Sequence, residues 1–224
     1  MTSISENRRA ILERMSQAVR ESGREPESVH LIAVSKFQPE ESVREALRSG
    51  QRVFGENRVQ EAKTKFATIK QETQDIELHL IGPLQTNKAE DAVRLFDVIQ
   101  TIDRPNLAEA VAKAIRKTGR NPRLYVEVNI GNEPQKAGIA PDKLAEFLTY
   151  CREKCGLTIT GIMCIPPHDA PPEPFFKAMK ILADQHKMSH LSMGMSADFE
   201  AALRCGATEV RVGTALFGER KVTP

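Results

Sequence analysis

Tryptophan is absent from this 224-residue chain and aromatic residues make up only 5% of it, so a platform for stacking nucleic-acid bases is not expected. Neither sign of charge dominates. The 32 Lys and Arg against 30 Asp and Glu leave a formal net charge of +2, too balanced for a nucleic-acid or acidic membrane partner. Long apolar runs are missing too. The longest, such as Leu31-Ile-Ala-Val34, are strand-sized and far short of the ~18 residues of a membrane span. The stretch Met1-Thr-Ser-Ile-Ser-Glu-Asn lacks the apolar core and small-residue cleavage site of a signal peptide, and a cytoplasmic protein is expected. Cysteine is scarce: Cys151, Cys155, Cys164 and Cys205. Cys151 and Cys155 share a predicted helical stripe with Leu144, Phe147 and Leu148 and read as buried small hydrophobes of a reducing compartment. His186 and His190 are four apart but straddle a predicted helix end and strand start, and no carboxylate completes a set, so no metal is expected. The glycine patterns of dinucleotide and P-loop sites are absent.

What is present is alternation. A first amphipathic helix, within 1–23, opens on Ser3-Ile-Ser-Glu6 with capping-box spacing; Ile11, Met15, Ala18 and Val19 follow on one face and Gly23 stops the pattern. Strand-like runs then cover 30–35, 52–54, 77–81, 98–101, 124–129, 157–163, 190–192 and 209–212. Helical patterns fill 39–49, 56–69, 86–96, 104–118, 141–154, 173–187 and 196–204, with a short one at 214–217. Pro39 and Pro141 suit first helical turns, Gly50 and Gly119 the positions just past helix ends. Short links between strand and helix imply parallel strands and right-handed crossovers. Eight units close a barrel, so the chain is expected to be one α/β domain over 1–224, a single (β/α)8 TIM-type barrel with an extra N-terminal helix. An open doubly wound sheet is the alternative. The Pro-rich stretch 165–174 reads as one long loop between a strand and its helix.

A barrel carries its chemistry where strands end. Lys36 follows the first strand, Glu56 and Asn57 the second. His79 lies inside the third, Thr101 ends the fourth and Asn129 the fifth. Met163 and Cys164 end the sixth, Ser192-Met-Gly-Met-Ser196 follows the seventh and Arg211-Val-Gly-Thr214 the eighth. A lysine whose stem leaves a buried strand favours the neutral amine, a nucleophile toward aldehydes. By position alone an exposed loop lysine fits as well. The seventh and eighth loops combine Ser192, Gly194 and Ser196, ahead of a helix expected near Ala197, with Gly213 and Thr214 ahead of the last helix. Such loops build phosphate sites in barrels; singly they would be ordinary caps and turns. Arg211 could donate to a ring nitrogen or pair with Glu209 or another carboxylate. An amine, hydroxyls and a ring-nitrogen donor together fit pyridoxal 5′-phosphate (PLP).

The same residues carry a resemblance. Ala33-Val-Ser-Lys36, Phe54-Gly-Glu-Asn57 with Val59-Gln-Glu61, the segment from His79 through Gly82 to Lys88, and Val128-Asn-Ile130 with Lys136-Ala-Gly138 occur in order. Leu191-Ser-Met-Gly-Met-Ser196 and Val210-Arg-Val-Gly-Thr-Ala-Leu-Phe-Gly218 complete the series over nearly the whole chain. The sequence resembles the pyridoxal phosphate homeostasis protein family, related in fold to the barrel domain of alanine racemase. The resemblance implies an internal aldimine (imine) of PLP on Lys36 and phosphate contacts from Ser196, Gly213 and Thr214. It also implies Arg211 at the pyridine nitrogen, Asn57 beside the cofactor, and Val34, His79, Met163 and Ser192 lining the pocket. Arg58 stands where the family often has an aromatic and Leu78 where it often has Trp; both departures are expected to alter pocket or rim packing. The implied role is non-catalytic, in vitamin B6 homeostasis and amino-acid balance, with PLP-dependent apo-enzymes as candidate recipients of the cofactor.

Two enzymatic readings stand beside that one. An amino-acid racemase needs proton donors on both faces of the substrate carbon. Lys36 serves one, but Tyr125 near a strand start and Tyr150 within a helix are poorly placed for the other, and no second domain is expected after Pro224. An aldolase using Lys36 would need an acid or base on the rim; His79 is the candidate, although a satisfied, hydrogen-bonded histidine is the more ordinary role. No extra hydrophobic stripe is evident, and a monomer is expected.

Overall fold

The computed structural model describes residues 3–218. Helix α1 (Ile4–Glu21) begins where Ser3 and Glu6 cap each other reciprocally, and it buries Ile11, Met15, Ala18 and Val19 as their spacing predicts. There follow β1 (His30–Val34), α2 (Glu40–Arg48), β2 (Val53–Glu56), α3 (Val59–Glu72), β3 (Glu77–Leu80), α4 (Ala89–Leu95), β4 (Val98–Ile102) and α5 (Pro105–Thr118). Then come β5 (Arg123–Glu127), α6 (Leu144–Glu153), β6 (Ile159–Met163), α7 (Glu173–Gln185), β7 (His190–Ser192), α8 (Phe199–Arg204), β8 (Glu209–Val212) and α9 (Thr214–Phe217). Every strand pairs in parallel with the next, and β8 returns to β1 with Ile32 opposite Arg211. That closing pair makes the sheet a barrel and rules out the open alternative.

Alternation along the strands sorts the side chains. Leu31 and Ala33, Leu78 and Leu80, Leu124 and Val126, and Val210 and Val212 join the apolar shell between sheet and helices. Burying each of the larger ones contributes about 1.5–3 kcal/mol, which makes this shell the main source of stability. The opposite positions face the barrel interior. There the chain departs from the bulky branched filling usual in such barrels: His79, Gln100, Ser192, Glu209 and Arg211 are polar and buried. Helix α1 packs against α8, where the Arg14 guanidinium lies 4.7 Å from the Phe199 ring centroid and pairs with Glu200.

Several expected boundaries move for local reasons. Helix α3 starts at Val59 rather than 56, because Gly55 and Glu56 continue β2 in register with His79 and Leu80. Helix α8 starts at Phe199 rather than near Ala197: the Asp198 carboxylate accepts the Met195 N–H at 2.6 Å and holds 195–198 as a turn. Pro39 sits at the cap of α2, just before its first turn. Beyond Glu127, Val128 keeps only an isolated bridge to Ile139, so Asn129 lies in the following loop. Cys151, Cys155 and Cys164 are buried and Cys205 is half-buried. Leu78 is enclosed in the outer shell, away from any rim, and Arg58 is exposed at the start of α3, so the family departures there fall outside the barrel interior.

Candidate functional site

At the carboxyl ends of the strands a cavity of about 330 Å³ opens between β1, β2 and the loops after β7 and β8. Small-molecule sites commonly have this size and, in barrels, this position. Val34, Lys36, Asn57, Ser196, Arg211, Gly213 and Thr214 line it together, as do Gln38, Ile81, Ile165, Met195, Ala197 and Gly218. A wider depression of about 660 Å³ runs along α1, and among the described residues one helix face from Arg8 to Glu21 lines it.

Lys36 is held from both sides. Before it, buried Ser35 donates its N–H to Gly55 O and its hydroxyl to Glu56 Oε1 at 2.7 Å, and its carbonyl accepts Lys65 Nζ at 2.7 Å. After it, the Phe37 N–H donates to Glu61 Oε1 at 2.6 Å, with Phe37 in the left-handed region at φ 61°. Lys65 joins the two clamps, lying 2.8 Å from Glu56 and 3.0 Å from Glu61. Burial raises the Glu56 carboxyl while Lys65 opposes the shift. A bulky residue at positive φ is strained and persists where its surroundings over-determine it.

The hydroxyl cradle joins two loops. Ser196 Oγ accepts the Ala215 N–H at 3.4 Å, bridging the loop after β7 to the start of α9. Ser196 therefore does not cap α8 as its position suggested. Gly194, at φ 90°, lets α8 approach so closely that a Cβ there would come within 2.5 Å of Ala202 Cβ. Its carbonyl accepts the Arg211 N–H at 3.0 Å. Across the mouth, Gly82 accommodates the loop carrying Asn57: an added Cβ would lie 2.4 Å from Asn57 O.

Arg211 is 4% exposed. Its NH1 donates to Ser192 Oγ at 2.7 Å and its NH2 to Cys164 O at 2.8 Å. Among the described residues it has no carboxylate within ion-pair distance, so the expected alternative of a bridge to Glu209 does not form. Burial pushes the guanidinium down, against Cys164, Glu127, Glu209 and Asp198, which act to raise it. An arginine stays protonated here. Burial, with Asp103 nearby, holds the Glu127 carboxyl at about 7, against the opposing pull of Arg211.

Three expected pocket residues are not on the cavity wall. His79 points deeper into the barrel, between Glu77 at 2.7 Å and Gln100 at 2.8 Å, and is the satisfied histidine rather than a rim acid. Ser192 lies behind Arg211, and Met163 is enclosed in the barrel. Sequence reasoning missed Lys65, Glu61, Gln100 and Glu127. Gln100 left a signal, a lone amide inside Val98-Ile-Gln-Thr-Ile102; Lys65 left none, since a lysine on a helix ordinarily faces water. His190 turns its ring against Tyr125, 5.3 Å between centroids, while His186 caps α7, and no metal-binding group of His, Cys, Asp or Glu occurs among the described residues. No helix among them is long and apolar enough to cross a membrane.

Comparison with known proteins matches residues 7–221 to the family described as the alanine racemase N-terminal domain. The pyridoxal phosphate homeostasis protein of Aquifex aeolicus is 40% identical over 94% of this chain and 96% of its own. PipY of Synechococcus elongatus, in its PLP-bound structure, superposes with a TM-score of 0.79 at 39% identity, over 93% of this chain and all of that one. Its structure without PLP gives a TM-score of 0.81 at 38% identity, over 91% of this chain.

Proposed function

The chain belongs to the alanine racemase N-terminal domain family, in the branch of the pyridoxal phosphate homeostasis proteins, and we propose that it is a PLP-binding homeostasis protein without catalytic turnover. One observation carries this reading: a single cavity gathers an amine, a bridged pair of hydroxyl loops and a buried guanidinium. When bound, PLP supplies an aldehyde that condenses with a primary amine, losing water and leaving a C=N bond. Lys36 supplies the amine. Ser196, Thr214 and the backbone at Gly213 would hold the phosphate, Arg211 would donate to the ring nitrogen, and Asn57 and Val34 would contact the ring. A permanently charged donor leaves that nitrogen unprotonated, so the ring withdraws electrons weakly, which suits storage better than turnover.

The tyrosines weigh against a racemase. Tyr125 donates to Glu209 at 2.5 Å inside the barrel, and burial raises its hydroxyl far above the ordinary range. Tyr150 bonds Glu109 on the surface. Neither lines the cavity, so among the described residues no tyrosine stands on its wall to serve as the second proton donor that racemisation needs. The reading extends to a single cofactor-binding unit acting in the cytoplasm, as a monomer, and releasing PLP to apo-enzymes that support amino-acid balance.

The test is chemical. The PLP-loaded protein is expected to be yellow, absorbing near ~420 nm as an imine does. Borohydride followed by peptide mass analysis should locate the cofactor on Lys36. A colourless, reduction-insensitive protein would end the reading. Inversion of any L-amino acid faster than roughly one turnover per second would replace it with the racemase.

A further inference from the structure

Below the cavity the barrel interior holds a hydrogen-bonded chain with one direction. Arg211 donates to Ser192 Oγ at 2.7 Å. A guanidinium cannot accept, so the Ser192 proton must go elsewhere, and Gln100 Oε1 receives it at 2.7 Å. Gln100 Nε2 then donates to Glu209 Oε2 at 2.9 Å and to His79 Nδ1 at 2.8 Å. With Nδ1 accepting, His79 carries its proton on Nε2, where Glu77 Oε1 takes it at 2.7 Å. Ser192 and Gln100 are wholly buried, and His79 and Glu209 are 1% exposed.

The two ends impose that direction. Arg211 above can only donate. Glu209 below can only accept while ionised. Burial acts to raise its carboxyl, while hydrogen bonds from His190 and Tyr125 act to lower it. Turning the Gln100 amide over would set its oxygen against the Glu209 carboxylate and leave the Ser192 proton without that acceptor. The amide therefore has one orientation, and through Ser192 so has the guanidinium.

We infer that Gln100 and Ser192 are positioning residues for Arg211, fixing which N–H groups of the guanidinium face the cavity and so the electronic state of a ring bound there. The inference rests on the reading in which Arg211 faces the ring nitrogen of PLP. Neither residue lines the cavity, and the effect passes through Arg211 alone.

The experiment uses the full-length protein titrated with PLP, comparing wild type with Gln100→Met, Ser192→Ala, Ser192→Thr and the Gln100→Met/Ser192→Ala double variant. It reads the PLP dissociation constant, the pH midpoint of the absorbance near ~420 nm, and the thermal midpoint. Gln100→Met and Ser192→Ala are expected to weaken binding about tenfold, as loss of a hydrogen bond to a charged group does. They should also move the pH midpoint by roughly half a unit. Ser192→Thr, which keeps the hydroxyl, should restore both, and the double variant should be no worse than either single one. If Gln100→Met does not fold, Ser192→Ala, which removes one oxygen, carries the test. Lower thermal midpoints with wild-type spectra and affinity would mean that the chain only fills the barrel, and the inference falls. Absence of a Lys36 linkage in the wild type would be a different failure, overturning the cofactor reading itself and this inference with it.

Discussion

Lys65 Nζ lies 2.8 Å from Glu56 Oε1, both side chains out of solvent, and 2.7 Å from the carbonyl of Ser35, the residue before Lys36. This buried ion pair on α3 and β2 braces the backbone that presents the candidate imine lysine. It also leaves Glu56 Oε2 buried without a hydrogen-bond partner among the described residues. The clamp is therefore costly to disturb from either side.

Replacing Lys65 by Met strands the Glu56 carboxylate, and unfolding free energy should fall by about 3–5 kcal/mol. Denaturant midpoints measure this directly. Adding Glu56→Gln should recover part of the loss, because the amide needs no counter-charge. Equal losses in the single and double variants would show that the pair carries no such weight.

Phosphate recognition can be separated from ring recognition. Ser196→Ala and Thr214→Val should each weaken PLP binding about tenfold, as loss of a hydrogen bond to a charged group does. Pyridoxal, which lacks the phosphate, should bind both variants as it binds the wild type. Parallel titrations with the two ligands decide the point.

Glu127 gives a pH dependence of defined sign. Its carboxyl is held at about 7 in the fold against an ordinary 4.5. The folded state therefore keeps the proton longer than the unfolded one, and stability declines as pH rises from about 4.5 to about 7, then levels. Glu127→Gln should abolish that slope. The variant should be more stable than wild type by about 1–3 kcal/mol at pH ~8, with the gap closing by pH ~4. Thermal midpoints across this range, compared for the two proteins, would expose a slope of the opposite sign.

Gly82→Ala should cost about 2–3 kcal/mol, because the new methyl meets the backbone of Asn57 rather than a side chain able to swing aside. PLP affinity should fall with stability, since Asn57 lines the cavity. A variant with wild-type melting and affinity would mean that the 82 and 57 loops part without penalty.

The sequence by itself determined the order of elements and which polar residues end the strands, while closure into a barrel was decided by the pairing of β8 with β1. The first two features are local: apolar periodicity sets strand and helix, and in parallel barrels the strand ends converge on one rim. Lys36, Asn57, Ser196, Arg211, Gly213 and Thr214 were legible for that reason. Only the tertiary structure decided which polar residues inside the strands touch the cavity and which stand behind it. His79 and Ser192 read alike as strand-end polar groups, yet their partners are Glu77 and Gln100 for one, Gln100 and Arg211 for the other. Apart from Glu77 with His79, those contacts join residues far apart in the chain, and their hydrogen-bond directions follow from the buried charges at either end of the network. Lys65 was illegible for the same reason. A helical lysine turned inward toward Glu56 and Glu61 has no signature until the helix is docked on the barrel.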